Sequence, residues 1–199
     1  MATRMSGIER RAQVLQIAAR EFGEHGLHGA SVEEVAREAG ITQAYVFRMF
    51  GTKKALFLEL VTGAFDRLVE AMAQAGDGTV GIEALARMGA EYYENLADDT
   101  GLRLQLQGFA ACGDPEVRDV VRGCFARLWD TTADGTGLDP VTVKTFLAFG
   151  MLLNAGAALG VAEVDAPWAD GVRTLVRPGL FEHITTATNG PATDGPETP

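Results

Sequence analysis

Cysteine is scarce, with Cys112 and Cys124 the two among 199 residues. Two thiols without a C-x-x-C spacing exclude a disulfide framework, and their apolar neighbours suit reduced, packed side chains of a cytosolic protein. Histidine is scarce too. His25 and His28 stand three apart beside Glu24, and His183 stands alone. That set is too thin for a metal, and histidine near a helix C-terminus has an ordinary electrostatic reason to be there, so neither metal nor cofactor is expected. There is no glycine-rich phosphate loop, no H-E-x-x-H and no G-x-S-x-G, which argues against an enzyme. No segment alternates with period two over a strand's length, and no repeat shows itself, so a β-fold or a solenoid is not expected. Positive charge is in deficit: 17 Lys plus Arg against 27 Asp plus Glu, a net charge of −10. At face value this argues against a partner made of phosphates. The first 25 residues carry Arg4, Arg10, Arg11 and Arg20 without an apolar run, so no signal peptide is expected.

What is present is helix after helix, with 47% apolar residues to build a core. Ser6 with Glu9 reads as a capping box ahead of an apolar stripe at Ile8, Ala12, Leu15, Ala19 and Phe22, ending before Gly23 and Gly26. Ser31 with Glu34 reads as a second box opening a short helix of Val32, Val35, Ala36 and Ala39, stopped by Gly40. Thr42 caps a third helix to about Met49, and Gly51-Thr52 starts a long fourth one, Lys53 to Ala75. Further helices are predicted at Ile82–Ala97, Leu102–Ala111, Pro115–Thr132, Pro140–Val164 and Pro167–Val176, two of them behind Asp-Pro caps. The tail 186–199 lacks apolar periodicity and is expected to be disordered. One uncharged stretch, Thr145 to Ala162, reaches the lower edge of membrane-spanning length. Thr145, Asn154, three glycines and the absence of an aromatic belt favour instead a helix buried on nearly all sides, at a subunit interface.

Residues 31–50 carry the clearest functional pattern. Two short helices joined by a three-residue turn form a helix-turn-helix. Its steric demands are met by Ala36 at the close crossing, Gly40 in the turn, and Val46 with Ile41 facing back. Gln43, Ala44, Tyr45, Phe47 and Arg48 then face outward. Arginine reads guanine, glutamine reads adenine, and alanine or a ring meets a thymine methyl in a major groove.

The run GITQAYVFRMFGTKKALF from Gly40 to Phe57 resembles the DNA-binding signature of TetR-family transcriptional regulators. So do Ala18-Ala19-Arg20-Glu21-Phe22-Gly23, the Gly26-x-x-Gly29-Ala30-Ser31 link and Val35-Ala36. The resemblance covers about the first 60 residues. It implies an all-α fold of about nine helices, with a three-helix DNA-binding domain at 1–51 and a ligand-binding and dimerisation domain at 52–185, helix 52–75 connecting them. It places Gln43, Ala44, Tyr45 and Arg48 at base edges and adjoining backbone. Ser31 and Thr42 would offer hydroxyls and helix N-termini to phosphates, and Lys53 would contact a phosphate beside Lys54. Where the family commonly has phosphate-binding hydroxyl or imidazole groups, this chain has Phe47 and Met49. Tyr45 is expected to supply the missing hydroxyl.

The remaining chain is expected to sense and pair. Soft and aromatic residues nominate a pocket: Met72, Met88, Tyr92, Phe109, Phe125, Trp129, Phe146 and Met151. Small and apolar residues nominate a homodimer face: Leu152, Gly156, Leu159, Gly160, Trp168, Val172 and Leu175. The expected partners are double-stranded operator DNA, a small apolar effector and a second copy of the chain. No membrane is expected, and the expected location is the cytoplasm. A helical small-molecule-binding enzyme and a protein-binding adaptor without DNA binding are the alternatives. The charge divides unevenly: residues 1–75 hold nine basic and nine acidic side chains, so the whole −10 falls in residues 76–199. Arg48, Lys53 and Lys54 are expected at the DNA face, with Arg4, Arg10 and Arg11 available beside them.

Overall fold

The computed structural model describes residues 6–96 and 99–174. The predicted tail 186–199, Leu175 and Arg4 lie outside the described residues. Within them the fold is all-α, with nine α-helices, one 3-10 turn and no strand. Three helices form the N-terminal part: α1 (Gly7–Gly29), α2 (Val32–Glu38) and α3 (Gln43–Phe50). Then follow α4 (Lys53–Gly76), α5 (Gly81–Asn95), α6 (Asp99–Ala110), α7 (Pro115–Thr136), α8 (Pro140–Ala158) and α9 (Pro167–Arg173).

Local chemistry explains where the helices start. Both halves of the Ser6–Glu9 box form. The second box forms only in part: Ser31 Oγ accepts from the Glu34 N–H, but the Ser31 N–H donates to Glu21 Oε1 at 2.7 Å. Glu34 turns instead to Arg37. Asp114 and Asp139 each cap a proline-led helix through two backbone N–H groups. The Lys54 ammonium on Asp114 and the Thr142 hydroxyl on Asp139, with those N–H groups, hold both carboxyls below their ordinary pKa.

Helix ends depart from expectation at α1, α7 and α8; α7 runs past the predicted Thr132 to Thr136. Helix α1 does not stop before Gly23; it continues to Gly29 across a kink at Gly26, whose φ is +67°. Its buried stripe is also one step round from the predicted one: Val14, Ile17, Ala18 and Phe22 are buried, whereas Ile8 and Ala12 are exposed. The stripe carrying the β-branched side chains faces α2, α4 and α6. Helix α8 ends at Ala158 rather than Val164, because Gly160 takes a left-handed φ of +62° and starts a 3-10 turn at Val161–Glu163.

Helix α4 is the spine. Its apolar face of Leu56, Phe57, Leu60, Val61, Ala64 and Phe65 completes a core built with α1, α2, α3, α6 and α7. Its last turns, at Leu68 and Met72, enter a second core with Met88, Leu128, Val143 and Leu147. The first core therefore runs without a break from the N-terminal helices into α7.

Candidate functional site

The turn between α2 and α3 is four residues, Ala39 to Thr42, one more than expected. Gly40 takes φ +66°, and the Ile41 N–H donates to the Ala36 carbonyl at 3.0 Å. Ala36 is buried at the crossing, and Val46 and Phe50 anchor α3 to the core. Thr42 Oγ1 accepts from the Tyr45 N–H and fixes the start of α3. With one face anchored, Gln43, Ala44, Phe47 and Arg48 are exposed on the other. Tyr45 is half-buried, and the Arg48 guanidinium lies 4.4 Å from its ring centroid. This ring holds the arginine by a cation–π contact. The face is short and uncrowded, and its polar tips match base edges rather than a protein core.

Several cations expected near this face are engaged elsewhere. Arg10 donates to Gln13 and the Ala39 carbonyl. Arg11 pairs with Glu59 and lies over the Phe50 ring. Lys54 pairs with Asp114 at 3.1 Å and Glu116 at 2.6 Å, tying the start of α4 to α7, so it is not part of the α3 face. Lys53 donates one proton to the His28 carbonyl at 2.9 Å, and its ammonium keeps two more donors. At the start of α2 a carboxylate, Glu21, already takes the Ser31 N–H, which leaves the hydroxyl as that residue's outward group.

A cavity of about 690 Å³ lies between α4, α5, α6, α7, α8 and α9. Of the nominated residues, Met72, Tyr92, Phe109, Phe125, Phe146 and Met151 line it. Met88 and Trp129 do not. Met88 fills the space beside Gly76 and Gly135, and Trp129 packs on the second core. Phe65, Phe149, Glu94, Gln105 and Asn154 line it without having been nominated. Asn154 had one visible signal, a polar side chain inside an 18-residue uncharged run. The Tyr92 hydroxyl hydrogen-bonds to Asn154 Oδ1 and reaches the Gly150 carbonyl at 3.2 Å. Burial raises the pKa of this phenol, opposed by the Asn154 contact, so the hydroxyl stays protonated.

The nominated pairing residues divide. Leu152, Leu159 and Trp168 are exposed, at 47%, 69% and 55%. Val172 lines the cavity, and so does Leu152. Gly156 is buried within its own chain, where a Cβ would stand 2.9 Å from Val172 Cγ1, so its lack of a side chain admits α9. Helix α8 is long and apolar enough to cross a membrane, and most of its apolar window is unburied. Among the described residues no group of three or more His, Cys, Asp or Glu side chains could hold a metal.

Residues 14–60 match the family model described as bacterial regulatory proteins, tetR family. The chain is 27% identical over 137 residues to an HTH-type transcriptional activator, FasR, of Mycolicibacterium smegmatis, covering 66% of this chain and 62% of that protein. It is 33% identical over 76 residues to an HTH-type transcriptional repressor, AcnR, of Corynebacterium efficiens, covering 38% and 40%. The matches thus span less than two thirds of these relatives' length. Among solved structures, a TetR-like transcriptional regulator from Rhodococcus sp. RHA1 superposes with a TM-score of 0.63 at 22% identity, over 93% of this chain and 98% of that one. That likeness extends the shared fold well beyond the matched N-terminal segment.

Proposed function

We propose that the chain, whose residues 14–60 match the tetR family model, is a TetR-family regulator working as a cytoplasmic homodimeric repressor. Each copy places α3 in the major groove of one half-site of a palindromic operator, and a small effector in the cavity releases it. The family and its relatives are regulators of transcription rather than enzymes. The observation that carries the reading is the exposed α3 face, on which Gln43, Ala44 and Arg48 stand clear of the core while Val46 and Phe50 hold the helix down. Ser31, Thr42, Tyr45 and Lys53 flank that face as contacts to the DNA backbone, and Phe47 is an apolar contact on the face itself. Repression follows the family's habit and the role of AcnR, a transcriptional repressor. We place the DNA-reading unit at 1–51 and the sensing and pairing unit at 52–185.

Release would be a shift of population. The effector favours a spacing of the two α3 helices that misfits the half-sites, with a coupling of about 1–3 kcal/mol. The test is retention of the purified protein on duplex fragments from its own genomic neighbourhood. Binding to a palindromic fragment, weakening as salt rises, supports the reading. No retention on any fragment at low salt overturns it, and turnover of a small molecule without DNA would favour the enzyme alternative.

A further inference from the structure

The cavity's wall has a chemical bias. Among its aliphatic lining stand many rings, with Phe65, Phe109, Phe125, Phe146, Phe149 and Tyr92 around the space. Each ring presents a negative face that attracts a cation and repels an anion. Among the described lining residues Glu94 carries the formal charge, and none is Lys, Arg or His. Glu94 and Tyr93 are exposed, so the carboxylate sits at the mouth, still in water. The deeper polar groups are neutral and committed: Tyr92 bonds to Asn154, and Gln105 Nε2 donates to the Ala64 carbonyl at 3.5 Å. The C-terminal part of the sequence has a net charge of the same sign. Residues 76–199 hold eight Lys plus Arg against eighteen Asp plus Glu. Such a field concentrates cations near the mouth and opposes the approach of anions.

Resting on the assignment of this cavity to the effector, we infer that its ligand is an amphipathic organic cation, with an apolar body among the rings and an amine at Glu94. A buried carboxylate ligand would lack a counter-charge, which is costly in an apolar site. An ammonium at the mouth keeps part of its hydration while gaining the carboxylate and the nearby ring faces.

Three probes share one chain and differ in charge: dodecylammonium, 1-dodecanol and dodecanoate, titrated calorimetrically into the full-length protein at about pH 8, where the amine and the acid are both ionised. The expected order of affinity is ammonium, alcohol, carboxylate, with the ammonium about tenfold tighter than the alcohol. Glu94→Gln is expected to erase that advantage while leaving the alcohol unchanged. Glu163→Gln removes the same charge from an exposed site outside the lining, and is expected to preserve the order. A carboxylate that binds as tightly as the ammonium, or an ammonium advantage that survives Glu94→Gln, overturns the cation assignment; alcohol binding would then still uphold the cavity as the effector site. Failure of all three probes to bind overturns both.

Discussion

Arg48 owes its position to Tyr45. The guanidinium lies over the half-buried ring, so the arginine waits at the surface of α3 with part of its conformational freedom already lost. Two contributions of Tyr45 are separable: the ring, over which Arg48 lies, and the hydroxyl, to which we assign the phosphate contact that Phe47 and Met49 cannot make. Tyr45→Phe keeps the ring and removes the hydroxyl; Tyr45→Ala removes both. Operator affinity measured by fluorescence anisotropy across a salt series is expected to fall modestly in the first variant and further in the second. Loss of base discrimination should accompany the second, by about 1–3 kcal/mol at the position Arg48 reads. If Tyr45→Phe binds like the parent at every salt concentration, the hydroxyl has no role. The residue types on α3 and the anchor Val46 were legible in the sequence because a helix-turn-helix imposes local spacing. The stacking of Arg48 on Tyr45 and the diversion of Lys54 to Asp114 and Glu116 were not, since an ion pair between α4 and α7 joins residues 60 apart.

Helix α1 shows how an element's shape depends on its neighbour. The kink at Gly26 combines φ +67° with ψ −175°, a conformation essentially reserved for glycine. Gln107 of α6 fills the angle: its Oε1 lies 2.5 Å from where a Cβ on Gly26 would stand, and its Nε2 donates to the Gly23 carbonyl at 3.3 Å. Gly26→Ala should therefore cost stability for two reasons, the backbone and the side chain it meets. The glutamine end can move, so the backbone is expected to dominate, at about 1–3 kcal/mol. Chemical denaturation checks this. Gly26→Ala is expected to destabilise by nearly the same amount whether Gln107 is present or replaced by alanine. A double variant as stable as Gln107→Ala alone would mean that the clash was the whole effect. Helix starts were legible because Ser, Thr and Asp caps act within three residues. The phase of the α1 stripe was not: two adjacent stripes were both apolar enough, and the packing of α2, α4 and α6 selected the one with Val14 and Ile17.

At the scale of the whole molecule, charge and apolar surface are segregated. The acidic excess lies in residues 76–199, leaving the N-terminal part electrically balanced and α3 free of a strong repulsive field of its own. The composition that seemed to disfavour DNA thus describes mainly residues 76–199. The cavity was legible as a class of residues but not as a set. Its wall is assembled from six helices far apart in sequence, and a methionine can equally line a space or fill one, as Met88 does. The pairing face has a similar history. The Gly156-x-x-x-Gly160 spacing suggested close approach between subunits, yet Gly156 is covered by Val172 and Gly160 ends α8. What remains on the surface is Leu159 and Trp168, exposed at 69% and 55%, beside Leu152. Large exposed apolar side chains favour a partner, and one α3 alone covers too few bases for a specific site. Leu159→Arg combined with Trp168→Arg places two cations on this face without entering the cavity. Because both side chains are exposed, helicity by circular dichroism should be unchanged. Sedimentation should report a monomer, and operator affinity should fall by about a hundredfold or more, since joining two reading heads multiplies binding by that order. A variant that still sediments as a dimer would move the pairing surface to another face of the molecule.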